Sequence, residues 1–353
     1  MNKTLAIAAM AGLLLAVCLI ASQGFGHVAS ALASVGWGAA VAIVLLRIVQ
    51  VAGAGIAWRV LLPAGTPGST WDCIALRWVR ESVNTLLPVA QVGGDLIGAR
   101  LLSFLGVEGG LAGASILVDL LTQTATQFVF SLVGLGLVAS IGGNDALVAS
   151  VAAGLGLMAL AVVAFFFAQA WGGFQLIERW LLKLAENPSW KALAGARNLH
   201  DRILAIHDDY GRMAWAFFIH LVIWFVGALE VWVALHAMGH PIGFNEAIVI
   251  ESLGHAVRAA GFLVPGAIGV QEGGFIALCA IYGIPGPVAL ALSLVKRLPE
   301  IVLGLPGLAL WHRYERRERI APAPGDATPV QQTPVQQTVD SAASARDAAT
   351  SSS

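Results

Sequence analysis

The sequence predicts an all-α polytopic membrane protein: an inverted 3+3 transmembrane repeat with two re-entrant helical hairpins. Three observations lead there. Of 353 residues, 58% are hydrophobic and 12% charged, and the mean hydropathy is +0.78. A soluble domain carries about 25% charged residues. Apolar runs near the ~20 residues needed to cross a bilayer recur along the chain. Finally, Thr85–Gln123 lies over Phe262–Glu300 at a constant offset of 177, with eleven identities in 39 positions. The weight of that match lies in rare markers: Pro88 falls on Pro265, Asp95 on Glu272 and Gly106 on Gly283. Repeats broken by Pro and Gly between hydrophobic spans mark many transporter folds. The competing reading is two proline-kinked helices aligned by composition alone.

Six segments read as crossings: Leu5–Ala21, Trp37–Leu62, Leu111–Ile141, Ala146–Trp171, Met213–Ala237 and Val288–His312. Lys3 before the first apolar run also fits a cleaved signal peptide, but the run is long and Ser22-Gln23-Gly24 is only a fair cleavage site. Retention is expected. Orientation follows from Lys and Arg. The loop Gly172–Arg212 carries Arg179, Lys183, Lys191, Arg197, Arg202 and Arg212, and Arg313, Arg316, Arg317 and Arg319 follow the last span. The loops Ser22–Gly36 and Gly142–Asp145 carry neither Lys nor Arg. Both termini and the central loop are therefore expected in the cytoplasm.

Two apolar segments remain, Cys73–Gly106 and Phe244–Gly283. Arg59, Arg77 and Arg80 flank the first at its start and Arg100 stands near its end. The second follows a loop without Lys or Arg, with only Arg258 before Lys296. Each is read as a hairpin that enters and leaves on one side, turning at Pro88–Gly94 and Pro265–Gly269. Non-helical backbone at that depth must be buried in protein or line a wet cavity, so a site is expected between the hairpins. Three crossings per half is odd, so the second half is inverted relative to the first. The expected organisation is a first membrane repeat over 1–145 and a second over 146–313, which includes a cytoplasmic loop at 172–212. A disordered cytoplasmic tail takes up 314–353. Phe174, Ile177, Trp180, Leu181 and Leu184 have helical spacing with charges between, as in an amphipathic helix on the inner leaflet. Asn187–Asp209 reads equally well as helix or as solvated connector. The Pro-, Gln-, Thr- and Ser-rich tail buries too little apolar surface to fold.

Arg80-Glu81-Ser82-Val83-Asn84-Thr85-Leu86-Leu87-Pro88, then Gly94-Asp95 and Arg100, resembles the first signature of the flippase-like transmembrane family. That family includes the membrane half of lysylphosphatidylglycerol synthases. Val264-Pro265-Gly266-Ala267-Ile268-Gly269-Val270-Gln271-Glu272, then Gly283, Lys296-Arg297 and Pro306-Gly307, resembles its second. Ala267 departs from the Gly that the family commonly has. The likeness runs from about Leu5 to His312 and is strongest toward members encoded in bacterial hopanoid biosynthesis clusters. It implies lipid translocation or handling in the bacterial inner membrane, with a hopanoid, isoprenoid or phospholipid as partner and lipid-biosynthesis enzymes as possible associates. The aminoacyl-transferase domain of those synthases has no counterpart after His312, so the chain is not expected to aminoacylate lipid.

Charges inside spans are costly, by about 2.5–3.5 kcal/mol on insertion scales, and usually face the bundle interior. Arg47, Asp119, Glu230, Lys296, Arg297 and Glu300 lie within spans. The hairpins add Arg80, Glu81, Asp95, Arg100, Glu251, His255, Arg258 and Glu272. The candidates for head-group contact or gating are Arg47, Arg80, Asn84, Pro88, Asp95, Arg100, Asp119, Arg258, Pro265, Gly266, Gly269, Glu272, Lys296, Arg297 and Glu300. Gly amides and helix ends at the hairpin tips suit an anionic head group. Arg80, Arg100, Arg258 and Arg297 suit bidentate phosphate binding. Asp95 and Glu272 fit gating or proton carriage and equally fit helix capping, since each follows its turn. Lys296 and Glu300, four apart, fit a local neutralising pair. For each charge a plain structural ion pair is the competing reading.

Enzyme signatures are missing. There is no Cys-x-x-Cys, no Gly-x-Ser-x-Gly and no Walker or Rossmann glycine pattern after a strand. His236 and His240 lack the Glu of the metalloprotease motif. Cys18, Cys73 and Cys279 are too scattered for a metal or disulfide framework. A net charge of −1 gives no case for nucleic acid. The chain is expected to need no cofactor or metal and to be no enzyme. A membrane-embedded enzyme, or an enzyme partner, acting on hopanoid or polyprenyl lipid is the alternative.

Overall fold

A computed structural model describes residues 21–87, 93–140, 199–260 and 267–320, with Cys18, Ala149 and Gly156. The described residues are all helical or connecting, without a strand. Most of the Leu5–Ala21 span, the Ala146–Trp171 span, the amphipathic segment from Phe174 and the tail from Ala321 lie outside them. The chain divides into two units, Met1–Trp311 and His312–Ser353. All packing below lies within the first.

The stretch Ser22–Gly36, expected as a loop, holds the helix α1 (Phe25–Ser34). Phe25, Val28 and Leu32 recur at helical spacing, and Val28 is buried. Gly36, at φ +67°, turns the chain into α2 (Gly36–Leu61). α2, α5 (Gly109–Ser140) and α7 (Tyr210–Ala237) are each long and apolar enough to cross a membrane. Their bounds fall within a few residues of the expected spans. α10 (Gly286–Ile320) covers the expected last span, but Lys296, Arg297 and Glu300 interrupt its apolar run and it contains Pro299 and Pro306.

Each of the two leftover segments is a pair of helices. α3 (Thr70–Leu86) and α4 (Gly93–Phe104) form the first pair, and α8 (Phe244–Ala260) and α9 (Val270–Ile281) the second. The two pairs have the same lengths, 17 and then 12 residues. Gly106 and Gly283 end the short helices with φ +89° and +69°, a conformation that costs Gly nothing. α3 opens with a capping box in which Asp72 N–H donates to Ser69 Oγ and Ser69 N–H to Asp72 Oδ2. Within each pair the helices run antiparallel. Asn84 meets Gly94 near the break, and Gly106 lies against Pro67 at the open end. In the second pair Arg258 bonds Gln271, and Gly254 lies against Phe275 and Leu278.

Small residues let these helices approach closely, as is usual in membrane bundles. Ser252 of α8 sits against Gly134 of α5, and Ser82 of α3 against Gly307 of α10, with no room for a Cβ at either glycine. Each pair thus packs its long helix on the last helix of the other half. Val231, Leu235, Val249, Leu253, Phe275 and Leu292 form an apolar core among α7, α8, α9 and α10. The short α6 (Leu199–His207) turns Leu199, Ile203 and Ile206 inward, Leu199 toward Gly113 of α5. That part of the central loop is helix, not a solvated connector, because those three apolar residues share one face.

Candidate functional site

The polar residues gather where the two helix pairs meet. A cavity of 280 Å³ opens there, walled by α2, α3, α5, α7, α8, α9 and α10. Arg47, Arg77, Arg258 and Lys296 line it, together with Glu81, Glu251 and Glu300. Gln50, Gln123, Gln127 and Gln271 add amides, and Trp78, Trp224 and Phe275 add aromatic faces. A second cavity of 260 Å³ continues from it along α3 and α4, sharing Arg77, Glu81, Thr85, Gln123, Gln127 and Arg258. Arg80, Asn84 and Asp95 line only this second space.

One ion network joins α3, α4, α5 and α7. Asp119 of α5 is wholly buried. Its Oδ2 accepts from Arg77 Nη1 and Arg80 Nη1, each at 3.0 Å, and its Oδ1 lies 3.0 Å from His220 Nε2 of α7. Arg80 also donates to Asp95 at 2.7 and 2.9 Å, and its guanidinium stacks 4.8 Å over the Trp58 ring. Asn84 Nδ2 donates to the other oxygen of Asp95 at 3.2 Å, while its own Oδ1 accepts from Gly94 N–H. Arg77 extends the network to Glu81 and Gln123, each at 3.1 Å. Unpaired, any of these buried charges would cost several kcal/mol. Paired, they fasten α3 to α4, α5 and α7.

A second ion network joins α2, α7, α8, α9 and α10. Lys296 stands at the position equivalent to Asp119. Its Nζ lies 2.8 Å from Glu251 of α8 and 3.2 Å from Glu230 of α7. Glu230 also accepts from Gln50 Nε2 at 2.5 Å and lies 3.5 Å from Arg47 Nη2. His255 Nε2 is 3.1 Å from Glu251. Arg258 donates to Glu300 at 2.9 Å and to Gln271 at 3.0 Å. Lys296 and Glu300 therefore do not neutralise each other. Opposite charges presented by α7 and α8 reach Lys296, and Glu300 turns to Arg258.

Asp95 and Glu272, at equivalent positions, are held differently. Asp95 lies in the first turn of α4 and is bound by Arg80. Glu272 caps α9, accepting from Gly269 N–H at 2.6 Å, and also pairs with Arg297 at 2.9 Å. Gly269, with φ +83°, is the N-cap of α9. Arg80 and Arg297 thus spend their forks on internal carboxylates. Arg100 lies away from both cavities, 5.0 Å from the Phe104 ring. Pro88, Pro265 and Gly266 lie outside the described residues.

Several contributors escaped sequence reasoning. Arg77 counted there only as a flanking charge, although it stands one turn before Arg80 on the same face. His220 was passed over as part of an apolar span, yet an imidazole there needs a polar partner. Gln50 and Ser293 offered no signal, since neutral polar residues are common in spans. Ser293 Oγ donates to Glu272 at 3.3 Å.

Residues 5–307 match the family model described as the lysylphosphatidylglycerol synthase TM region. No curated protein and no solved structure matches the chain. Long apolar helices, buried charge networks and a match over most of the length agree, and the chain belongs to the lysylphosphatidylglycerol synthase transmembrane-region family of multi-pass membrane proteins.

Proposed function

We propose that this protein moves a lipid across the bacterial inner membrane, its head group passing through the cavity between the two helix pairs by alternating access. The observation that carries this reading is the cavity itself: lined by charged, amide and aromatic side chains, and flanked by two helix pairs of matching lengths. A 12-residue helix is about 18 Å long, well short of the roughly 30 Å hydrocarbon core. That length, with Pro67 and Gly106 adjacent at the open end of the first pair, supports hairpins that enter and leave on one side. Swapped Ser–Gly packing and matched left-handed glycines support an inverted repeat. Paired broken helices around a shared cavity fit transporters that rock one repeat against the other. The family's tie to lysylphosphatidylglycerol synthesis points to lipid as cargo. The motif likeness favours a hopanoid, another isoprenoid or an anionic lipid. Both termini are placed in the cytoplasm by the positive-inside rule.

The test has two steps. Mass spectrometry of lipid retained by protein purified from native membrane identifies the cargo. Fluorescent analogues of that lipid are then followed across proteoliposome membranes. Wild-type protein is expected to speed exchange over empty liposomes. Asp95→Asn and Glu272→Gln are expected to slow it at near-normal protein yield, because each removes the charge that holds an arginine, Arg80 in the wall of the second cavity and Arg297 next to the cavity residue Lys296. Exchange no faster than in empty liposomes would sink translocation. Wild-type rates from both variants would leave those acids as structural pairs and caps.

A further inference from the structure

Among the ion-paired groups around the central cavity stands one imidazole. Arginine stays protonated; the lining Lys296 is paired with Glu251, and the lining Glu81 and Glu300 with Arg77 and Arg258. Histidine ordinarily titrates between about pH 5 and 8, and His255 is the one histidine among the described lining residues. Its side chain is 23% exposed, so it reaches the cavity, while its Nε2 is held 3.1 Å from the buried Glu251. The ring of Trp224 on α7 packs edge-on at 4.8 Å, fixed in turn by donation to Thr126 Oγ1 at 3.1 Å. At the equivalent position of the first half stands Trp78, which cannot titrate.

We propose that His255 is a proton-binding site of the central cavity, loading one positive charge onto its wall. The charges around it make that proton consequential. Arg47 on α2 and Lys296 on α10 balance Glu230 on α7 and Glu251 on α8, two against two. Arg258, one turn along α8, is matched by Glu300 of α10, with the neutral Gln271 of α9 beside it. On α3, Arg77 is shared between Glu81 and Asp119 of α5, and on α5 the neutral Gln127 donates to the His255 carbonyl at 3.4 Å. A proton on His255 thus adds one positive charge beside Glu251. The imidazolium then competes with Lys296 for Glu251, loosening the tie that fastens α8 to α10. It also favours an anion in the cavity, a consequence that rests on the translocation reading, whereas the proton site does not.

The test is a pH titration of tryptophan emission, since a protonated imidazole quenches a neighbouring indole. Full-length protein in nanodiscs carries His236→Gln in the parent, because Trp232 and His236 form a second such pair at 4.0 Å. Emission from the parent is expected to fall in a single step on acidification between about pH 8 and 5. The step should vanish on adding either His255→Gln or Trp224→Phe, the latter leaving the histidine in place. Circular dichroism checks that both remain helical. No step in the parent, or a step that persists with His255→Gln, overturns the proposal. A step produced at constant pH by replacing potassium with sodium overturns it too, assigning the site to a metal cation. Lipid exchange by the same protein is scored separately. A pH step without exchange upholds the proton site and sinks translocation instead.

Discussion

Among the described residues Asp119 has three charged or ionisable partners and no exposure of its side chain. Removing one member of a buried ion pair strands its partners in low dielectric, typically at about 3–5 kcal/mol. Asp119→Asn is therefore expected to lower the thermal stability of detergent-purified protein substantially. Glu81 binds one of the same arginines, but its side chain is 39% exposed. An exposed pair contributes about 0–1 kcal/mol, so Glu81→Gln should melt close to wild type. Equal melting temperatures for the two variants would show that the network does not hold the fold. Lys296 is the sign-inverted counterpart, and its two carboxylates come from α8 and α7, 45 and 66 residues away in sequence.

The helix pair is the element on which the proposed translocation reading turns. Ser69 caps the start of α3 and Ser103 lies near the end of α4. With Pro67 beside Gly106, both ends lie at one level. Single cysteines at Ser69 and Ser103, in a background lacking Cys18, Cys73 and Cys279, are expected to react with an impermeant maleimide from the cytoplasmic side. Labelling of the two from opposite faces would mean that the pair crosses, and would remove the re-entrant arrangement together with the inversion. Pro and Gly punctuate both segments, at Pro88–Gly94 and Pro265–Gly269, which is why both interruptions were legible in the residues. The short α1 was not, because a single apolar stripe over ten residues is hard to tell from a loop.

For the whole molecule, both helix pairs contribute to the wall of one cavity, α3 from the first and α8 and α9 from the second. Cells lacking the protein are expected to keep their total amount of the lipid found bound to it, while its distribution between leaflets or membranes changes. Lipid extraction with leaflet-selective labelling measures both quantities. Disappearance of one lipid species with build-up of its unmodified precursor would instead support the membrane-enzyme reading.

Hydropathy, helix period and the Pro and Gly breaks act over a few residues. By themselves they determined the membrane class, the bounds of α2, α5 and α7, and the interruption of both apolar segments. The repeat markers Asp95 and Glu272 and the polarity of Asp119, Lys296 and Glu300 were equally plain. Which charge meets which was not. Lys296 and Glu300 satisfy a local spacing rule, yet each is claimed by a carboxylate or guanidinium that another helix brings closer. His220, Arg77 and Gln50 join the networks for the same reason. Pairing inside a low-dielectric bundle goes to the partner that helix packing presents. Close packing at Gly134 and Gly307 fixes that presentation, and only the tertiary structure contains it.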